Sequence, residues 1–360
     1  MTTGRSSGLV LAKLRDDIRA KRFAEGDLLP SIRQLSLQHH VACKTVQRAL
    51  RVLADEGKVS AEPRHGHRVL SRANHPNRGC PIASVLTAPG QAESEMDAIH
   101  RKLRDSLQRI LSERSWSLLN VYGSGGPAED IMMQLRAGRA WGVLLDSLNQ
   151  ELLDLVRATK LPAVMMDAWV EGAPLDAVLQ DNYLGGYLAA KHLIDKGHRE
   201  IAWLGAIGRS AHSRERFGGA AAAVAAAGSH MPPLRRFEST DETIVSSIQS
   251  MLSGPDRPTA VLALWRDVAV RLVETARQLH LTPGRDFDMV GWTTKDQYEG
   301  YKAAFDGGSI APAVVWNPED MARLAVARLT ERWANPDAPI TRLHVKVELK
   351  QTEQRESSLA

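Results

Sequence analysis

Between residues 81 and 291 the chain alternates short apolar runs with longer amphipathic segments, and few folds accommodate that text. These runs predict strands over 82–86, 118–122, 142–146, 163–167, 201–204, 234–237, 261–264 and 288–291. Between them the spacing predicts helices over 95–113, 128–135, 151–158, 185–196, 215–227, 242–252 and 268–279. In the first of these Ile99, Leu103, Leu107 and Ile110 share one side. Short strands that do not alternate apolar with polar are buried on both faces, the condition of a parallel sheet covered by helices. Roughly 270 residues exceed one doubly wound core, so two such sheets are expected. The fold class is α/β, with parallel sheets in two lobes.

The text before residue 80 differs in charge. Residues 1–78 carry fifteen Lys and Arg against seven Asp and Glu, whereas the whole chain is only +4. A small helical domain with a solvated charged face would share its helical period. The concentration of positive charge is instead the footprint of a nucleic-acid binder. A helix over 8–23 carries Leu11, Leu14 and Ile18 on one stripe. Ser31 suits the N-cap of a helix over 32–39. In the next helix Val46, Leu50 and Leu53 form an apolar stripe, and Lys44, Arg48 and Arg51 form a basic stripe at the same spacing beside it. Thr45 and Gln47 flank the basic stripe with hydrogen-bonding groups, and Gly57 suits a left-handed helix end. Residues 58–61 and 67–70 read as two strands joined through Pro63-Arg64-His65-Gly66. A helix with this polar face fits the major groove, and the Arg64-His65-Gly66 tip suits the flanking backbone or minor groove. The polar stretch 71–80, broken by Pro and Gly, reads as a linker between a domain at 1–70 and one at 81–350. Residues 351–360 read as a frayed tail.

In open α/β sheets ligands sit beyond the carboxyl ends of the strands. That rule nominates 87–91, 122–126, 146–148, 167–169, 204–208, 265–267 and 292–295, and within them Thr87, Asp167, Trp169, Trp265, Asp267 and Trp292. Three of the eight tryptophans fall at these places. Large rings beside charged groups suit a polar ligand with an apolar face, although any one of them can equally fill core. Other chemistries leave no mark. The sequence has no G-x-S-x-G elbow between a strand and a helix, no H-E-x-x-H and no complete Walker loop. Gly123-Ser124-Gly125-Gly126 lacks the G-x-G-x-x-G spacing and reads as a cleft-edge turn. Cys43 and Cys80 have neither metal-ligand spacing nor the number for a disulfide framework. No run of 18 apolar residues is present, and the N-terminus lacks a signal-peptide core. No catalytic residue, cofactor, metal or membrane is therefore expected, and residence in the cytoplasm is the default.

Two resemblances sharpen this reading. Leu29-Pro30-Ser31-x-Arg33, Val41-x-x-x-Thr45-Val46, Ala49-Leu50-x-x-Leu53-x-x-Glu56-Gly57 and Arg64-x-Gly66-x-x-Val69 closely resemble the winged helix-turn-helix of GntR-type transcription regulators. The resemblance implies DNA contacts from Arg33, Thr45, His65 and Gly66. Cys43 and Gln47 stand where that family usually has arginines, and Lys44, Arg48 and Arg51 compensate by helical spacing. Further on, Asp181-Asn182-x-x-Gly185-Gly186-x-x-Ala189-Ala190-x-His192-Leu193-Ile194-x-x-Gly197-His198-Arg199-x-Ile201-Ala202-x-Leu204-Gly205, with Arg216-x-x-Gly219 and Val290-Gly291, resembles the LacI/GalR-type, periplasmic-binding-protein-like effector domain. That likeness extends over about 82–349. It implies ligand contacts from Arg216 and Asp167, a structural role for His198, and a ligand-responsive regulator that binds a sugar-like effector and a double-stranded DNA operator. It also implies a homodimer paired through its effector domains. Arg266 replaces the Asn of the family's Asn-Asp pair ahead of Asp267, and Gly291-Trp292-Thr293-Thr294 lacks the acid found in sugar binders. A plain pyranose is thereby put in doubt. The implied lobes are about 81–178 with 311–338 and about 179–310 with 339–350. Helix 319–333 would return to the first lobe and 343–349 to the second. The rival reading is a winged head fused to an enzyme-like α/β domain; the Gly197-His198-Arg199 text argues against it.

Overall fold

The computed structural model describes residues 3–351 except 21, 25, 56–57, 63–65, 70–80, 88–94, 124–127, 147–149, 160, 171, 209, 229, 241, 304 and 306–311. The chain divides into two compact units, one N-terminal and one beginning at Cys80. The predicted Gly57 helix end, the linker and the tail beyond residue 351 lie outside the described residues.

The first unit contains α1 (Thr3–Arg19), α2 (Ile32–Gln38), α3 (Cys43–Asp55), β1 (Val59–Glu62) and β2 (Gly66–Val69). Its core is Val10 and Leu14 of α1, Leu35 of α2, Val46, Ala49, Leu50 and Leu53 of α3, and Val59 and Val69 of the hairpin. The helix predicted over 8–23 stops at Arg19, because Asp17 accepts hydrogen bonds from the Arg22 amide and guanidinium and turns the chain. Ser31 caps α2 as expected, in a reciprocal box. Its hydroxyl accepts from the Gln34 amide, and the Gln34 side chain accepts from the Ser31 amide. His40, at φ 51°, makes the left-handed turn between α2 and α3, and Ser36 donates to the Val41 carbonyl across it. β1 and β2 pair antiparallel, Glu62 opposite Gly66. Residues 26–29 run along β2 through bonds to Val69 and His67, a third stretch of sheet that the periodicity did not show.

The second unit holds β3 (Pro81–Thr87), α4 (Glu95–Glu113), β4 (Ser117–Gly123), α5 (Ala128–Ala137), β5 (Gly142–Leu145), α6 (Gln150–Thr159), β6 (Ala163–Met166) and β7 (Asp176–Gln180). There follow α7 (Asn182–Asp195), β8 (Ile201–Leu204), α8 (Ala211–Ala226), β9 (Arg235–Phe237), α9 (Ile244–Ser253), β10 (Ala260–Leu262), α10 (Arg266–Gln278), β11 (Asp288–Thr294) and α11 (Tyr298–Ala303). It ends with β12 (Ala313–Trp316), α12 (Pro318–Ala334), β13 (Arg342–Val345) and β14 (Val347–Lys350).

Two six-stranded sheets result, ordered β13-β7-β6-β5-β3-β4 in the first lobe and β14-β12-β11-β10-β8-β9 in the second. All pairs are parallel except β12 with β14. The exception has a geometric cause. Both sheets aim the carboxyl ends of their strands at the cleft, so a chain that leaves β13 and enters the second lobe directly must run against its strands. The sheets also correct two lobe assignments. Strand 313–316, expected in the first lobe, pairs with β11 of the second, and 342–345, expected in the second, pairs with β7 of the first. The chain therefore crosses at 181, 317 and 346.

Each lobe has its own core. Ala83, Val85, Val143, Leu145 and Met165 meet α5 and α6 in the first; Ala202, Val261, Ala263 and Met289 meet α9 and α10 in the second. α7 and α8 pack unusually close. A Cβ on Gly186 would lie 2.0 Å from the Arg216 carbonyl oxygen, and one on Gly219 would lie 1.9 Å from that of Tyr183. α12 is tied to β7 by a buried pair, Arg328 donating to Asp176 at 2.8 Å, while the Thr341 amide donates to the same carboxylate at 2.8 Å.

Candidate functional site

In the first unit α3 sorts its residues by face. Val46, Ala49, Leu50 and Leu53 are buried, whereas Lys44, Gln47, Arg48 and Arg51 are exposed and Thr45 is half-buried. Arg33 is exposed on the first turn of α2. The basic residues read from helical spacing thus form a ridge on the side of α3 turned away from the core. Gly66 opens β2 at φ 100°, a conformation that glycine adopts without steric cost. Arg64 and His65 lie outside the described residues.

In the second unit the cleft is organised by the crossing strand β7 and the first turns of α8. Asp167, just past β6, has φ 50°, left-handed for a non-glycine residue. Its two carboxylate oxygens accept from Gln180 Nε2 at 2.9 Å, and one of them is 3.1 Å from His212 Nε2. Burial pushes the Asp167 carboxyl up, but His212, Gln180 and the Arg216 charge outweigh it and hold the group below the usual carboxylate value. His212 and Arg216 stand four residues apart on α8, hence on one face. Asp167 and Gln180 belong to the first lobe, so the His212 contact spans the cleft. Lys102 on α4 and Asp296 beyond β11 make a second, more exposed bridge at 3.2 Å.

Arg216 does not have the setting expected of a ligand contact. It is 1% exposed and its guanidinium is already committed. Nε donates to Asn182 Oδ1 at 2.8 Å, Nη2 donates to Gln180 Oε1 at 3.2 Å, and Nη1 donates to the Leu264 carbonyl. The rings of Trp265 and Trp292 lie on it, 4.1 and 3.7 Å from the guanidinium carbon to the ring centres. Trp292 is also not the cleft wall that its place in the sequence predicts. β11 runs three residues past Gly291 to pair with β12, so Trp292 is inside the strand and 3% exposed. Its Nε1 donates to Gln180 at 2.8 Å, and Gly185 leaves room for its ring. Together these groups clamp the first crossing of the chain.

The other candidates divide. Trp265 stands at the N-cap position of α10, half-buried, with its ring edge-on to His212. Asp267 is exposed on the first turn of α10. Trp169 is drawn away: it packs against the first lobe's core under Arg342, whose guanidinium carbon is 3.5 Å from the ring centre. Thr87 ends β3 beside Gly123, its side chain outside the described residues. Asp146, past β5, is buried and 3.9 Å from His100. Gln180, Asn182 and His212 were not nominated from sequence. Gln180 ends a strand that the alternation did not register, and the i, i+4 spacing of His212 to Arg216 was the available signal. Among the described residues no cluster of three or more His, Cys, Asp or Glu is placed to hold a metal, and no helix is long and apolar enough to cross a membrane.

Two lobes joined by three crossings, with polar groups facing each other across the gap, define a periplasmic-binding-protein-like module, here joined to a winged helix-turn-helix. Comparison with known proteins agrees. Residues 7–69 match the family of bacterial regulatory proteins, gntR type, and residues 190–358 match the periplasmic binding protein-like domain. The chain is 32% identical over 185 residues to the HTH-type transcriptional repressor PurR of Photobacterium profundum, covering 50% of this chain and 55% of that one. It is 30% identical over 239 residues to the ribose operon repressor of Haemophilus influenzae, covering 64% and 69%. Among solved structures, a cellobiose complex of the regulator CelR superposes with a TM-score of 0.63 at 20% identity, covering 89% of this chain and 98% of that one. A ribose-bound LacI family regulator from Enterococcus faecium gives 0.62 at 16%, covering 75% and 97%. The chain belongs to the LacI-type family of transcription regulators that includes the ribose operon repressor. Its relatives are regulators, and the rival of an enzyme-like domain behind the head finds no support among them.

Proposed function

We propose that this chain is a ligand-responsive DNA-binding transcription regulator acting in the cytoplasm as a repressor, without enzymatic activity of its own. The observation that carries this reading is the α3 ridge, with Lys44, Arg48 and Arg51 exposed on the helix whose opposite face is core. Cations at this spacing on a major-groove helix can reach phosphates and base edges together. Arg33, Thr45, Gln47, Arg64, His65 and Gly66 complete the proposed DNA contacts. Two copies would pair through the effector units and present two heads to a double-stranded operator. The effector is a small polar metabolite of the sugar or sugar-derivative class, seated between the lobes near Asp167, Trp265 and Asp267. Names of relatives support that class, since a ribose repressor and a cellobiose complex are among them. Ligand acts by binding the two lobe arrangements with different affinity and so altering the spacing of the heads; equal affinity would shift nothing.

The test is selection of bound fragments from random duplex DNA, followed by affinity against salt for the selected site. Arg51→Ala is expected to weaken binding and to reduce the salt slope by about 1, as for one lost phosphate contact. An unchanged affinity and slope removes Arg51 from the contact list. Failure of the wild-type chain to select any site overturns the reading.

A further inference from the structure

We propose that the effector carries an oxyanion, a carboxylate or a phosphoryl group, and that Arg266 at the start of α10 is its anchor. The inference rests on the regulator reading above and names the chemistry of the same cleft. Arg216 is buried in a sandwich of Trp265 and Trp292 and donates to Asn182, Gln180 and the Leu264 carbonyl, so an incoming anion would have to dismantle the clamp to reach it.

Arg266 is different. It follows Trp265 directly, at the ligand end of the second sheet, and its Nε is buried with no hydrogen-bond partner among the described residues. Its Nη2 lies 4.0 Å from where a Cβ on Gly300 would stand, so the guanidinium rests against α11. Two more unpartnered groups border that helix. Thr293, 1% exposed, has a hydroxyl without a partner, and Gln297 has a buried Oε1 without one. Thr293 lies on the strand face it shares with Gly291, whose Cβ position meets Tyr301 of α11. The start of α10 adds its own field. Trp265 offers no side-chain cap, and the helix dipole is positive there, offset in part by the carboxylate of Asp267 in the same first turn.

Buried donors left without partners cost free energy unless a ligand supplies the acceptor. A guanidinium with a buried, unpartnered N–H and a buried hydroxyl, both beside α11, share one requirement, a compact group of acceptor oxygens, and the guanidinium adds the need for negative charge. The Gln297 oxygen would then accept from a hydroxyl of the same ligand, which describes a hydroxylated acid or a sugar phosphate more closely than a neutral sugar.

The experiment titrates the full chain with inorganic phosphate and, separately, with acetate, at ionic strength held constant with chloride. The thermal midpoint is followed for wild type, Arg266→Gln and Arg266→Lys. In the wild type at least one anion is expected to raise the midpoint, with apparent affinity reduced tenfold or more in Arg266→Gln. Arg266→Lys keeps the charge without the fork; it is expected to fall between the two and serves as the comparison if the Gln variant does not fold. A response to phosphate alone assigns a phosphoryl ligand, and a response to acetate alone assigns a carboxylate. Equal responses in wild type and variants, including none in any, overturn the proposal. Operator selection by the same proteins separates this failure from that of the regulator reading, because Arg266 is no part of the head.

Discussion

Arg216 shows how a side chain of one chemistry can serve either ligand or fold, depending on what surrounds it. Its donors go to Gln180, Asn182 and Leu264, and Gln180 in turn connects to Asp167 and Trp292. Removing the guanidinium leaves buried acceptors unpaired, and such losses reach about 3 kcal/mol or more. Arg216→Ala is expected to lower stability by that order in chemical denaturation, with Arg216→Lys intermediate; a loss below about 1 kcal/mol would mean the clamp carries no weight. Asp167 gives a pH signature. Its folded pKa lies below the ordinary 3.8, so its stabilisation is full above that value and is lost as pH falls through the lower folded one. The acid limb of the thermal midpoint should therefore flatten in Asp167→Asn, and an unaltered limb would show that other carboxylates govern acid unfolding. Residue by residue, the basic ridge on α3 was legible because exposure on a helix follows period. The clamp was not, because Gln180 and Arg216 are 36 residues apart and meet only across two elements.

At the scale of elements, the α7–α8 contact is set by glycine. With under 2 Å available at Gly219 and only 2.0 Å at Gly186, a methyl group at either forces the helices apart. Gly186→Ala is expected to cost about 3 kcal/mol, since overpacking against backbone cannot be relieved by a rotamer change. It should also red-shift tryptophan emission, because Trp292 and Trp265 stack on an arginine carried by α8. Gly197→Ala fails for a different reason: at φ 97° the strain is in the backbone although the space is open. The sequence marked most strands and helices within a few residues, because period and capping act locally. It missed β7 as a strand and merged β13 with β14, since a run of apolar residues does not say which sheet edge it joins.

For the whole molecule the question is what holds the lobes at their observed separation. Among the described residues two ion pairs, Lys102–Asp296 and His212–Asp167, span the cleft, and their burial ranks them. Lys102 and Asp296 are 48% and 39% exposed at the side chain, so that pair contributes at most about 1 kcal/mol. His212 and Asp167 are 14% and 9% exposed and share the Gln180 network. His212→Ala is expected to loosen the lobes and increase acrylamide quenching of Trp265, its ring neighbour, while Lys102→Ala leaves quenching unchanged. Equal behaviour of the two variants would mean that neither contact sets the lobe equilibrium. Away from the cleft, the buried Asp176–Arg328 pair ties α12 to the first lobe. Asp176→Ala is expected to cost roughly 3–5 kcal/mol in chemical denaturation, because the buried Arg328 guanidinium keeps its bond to the Pro339 carbonyl but loses its carboxylate.

By itself the sequence determined the α/β class, the two-sheet architecture, the winged head and the basic ridge on α3. These follow from local period, capping and charge, which act over a few residues and survive without knowledge of distant neighbours. Only the tertiary structure decided the routing of the last strands and the fates of Trp169, Arg216 and Trp292. Routing depends on which sheet edge lies open where the chain crosses. The fate of an arginine or tryptophan at a strand end depends on which side chains arrive from the other lobe to desolvate it, and no local pattern encodes their arrival.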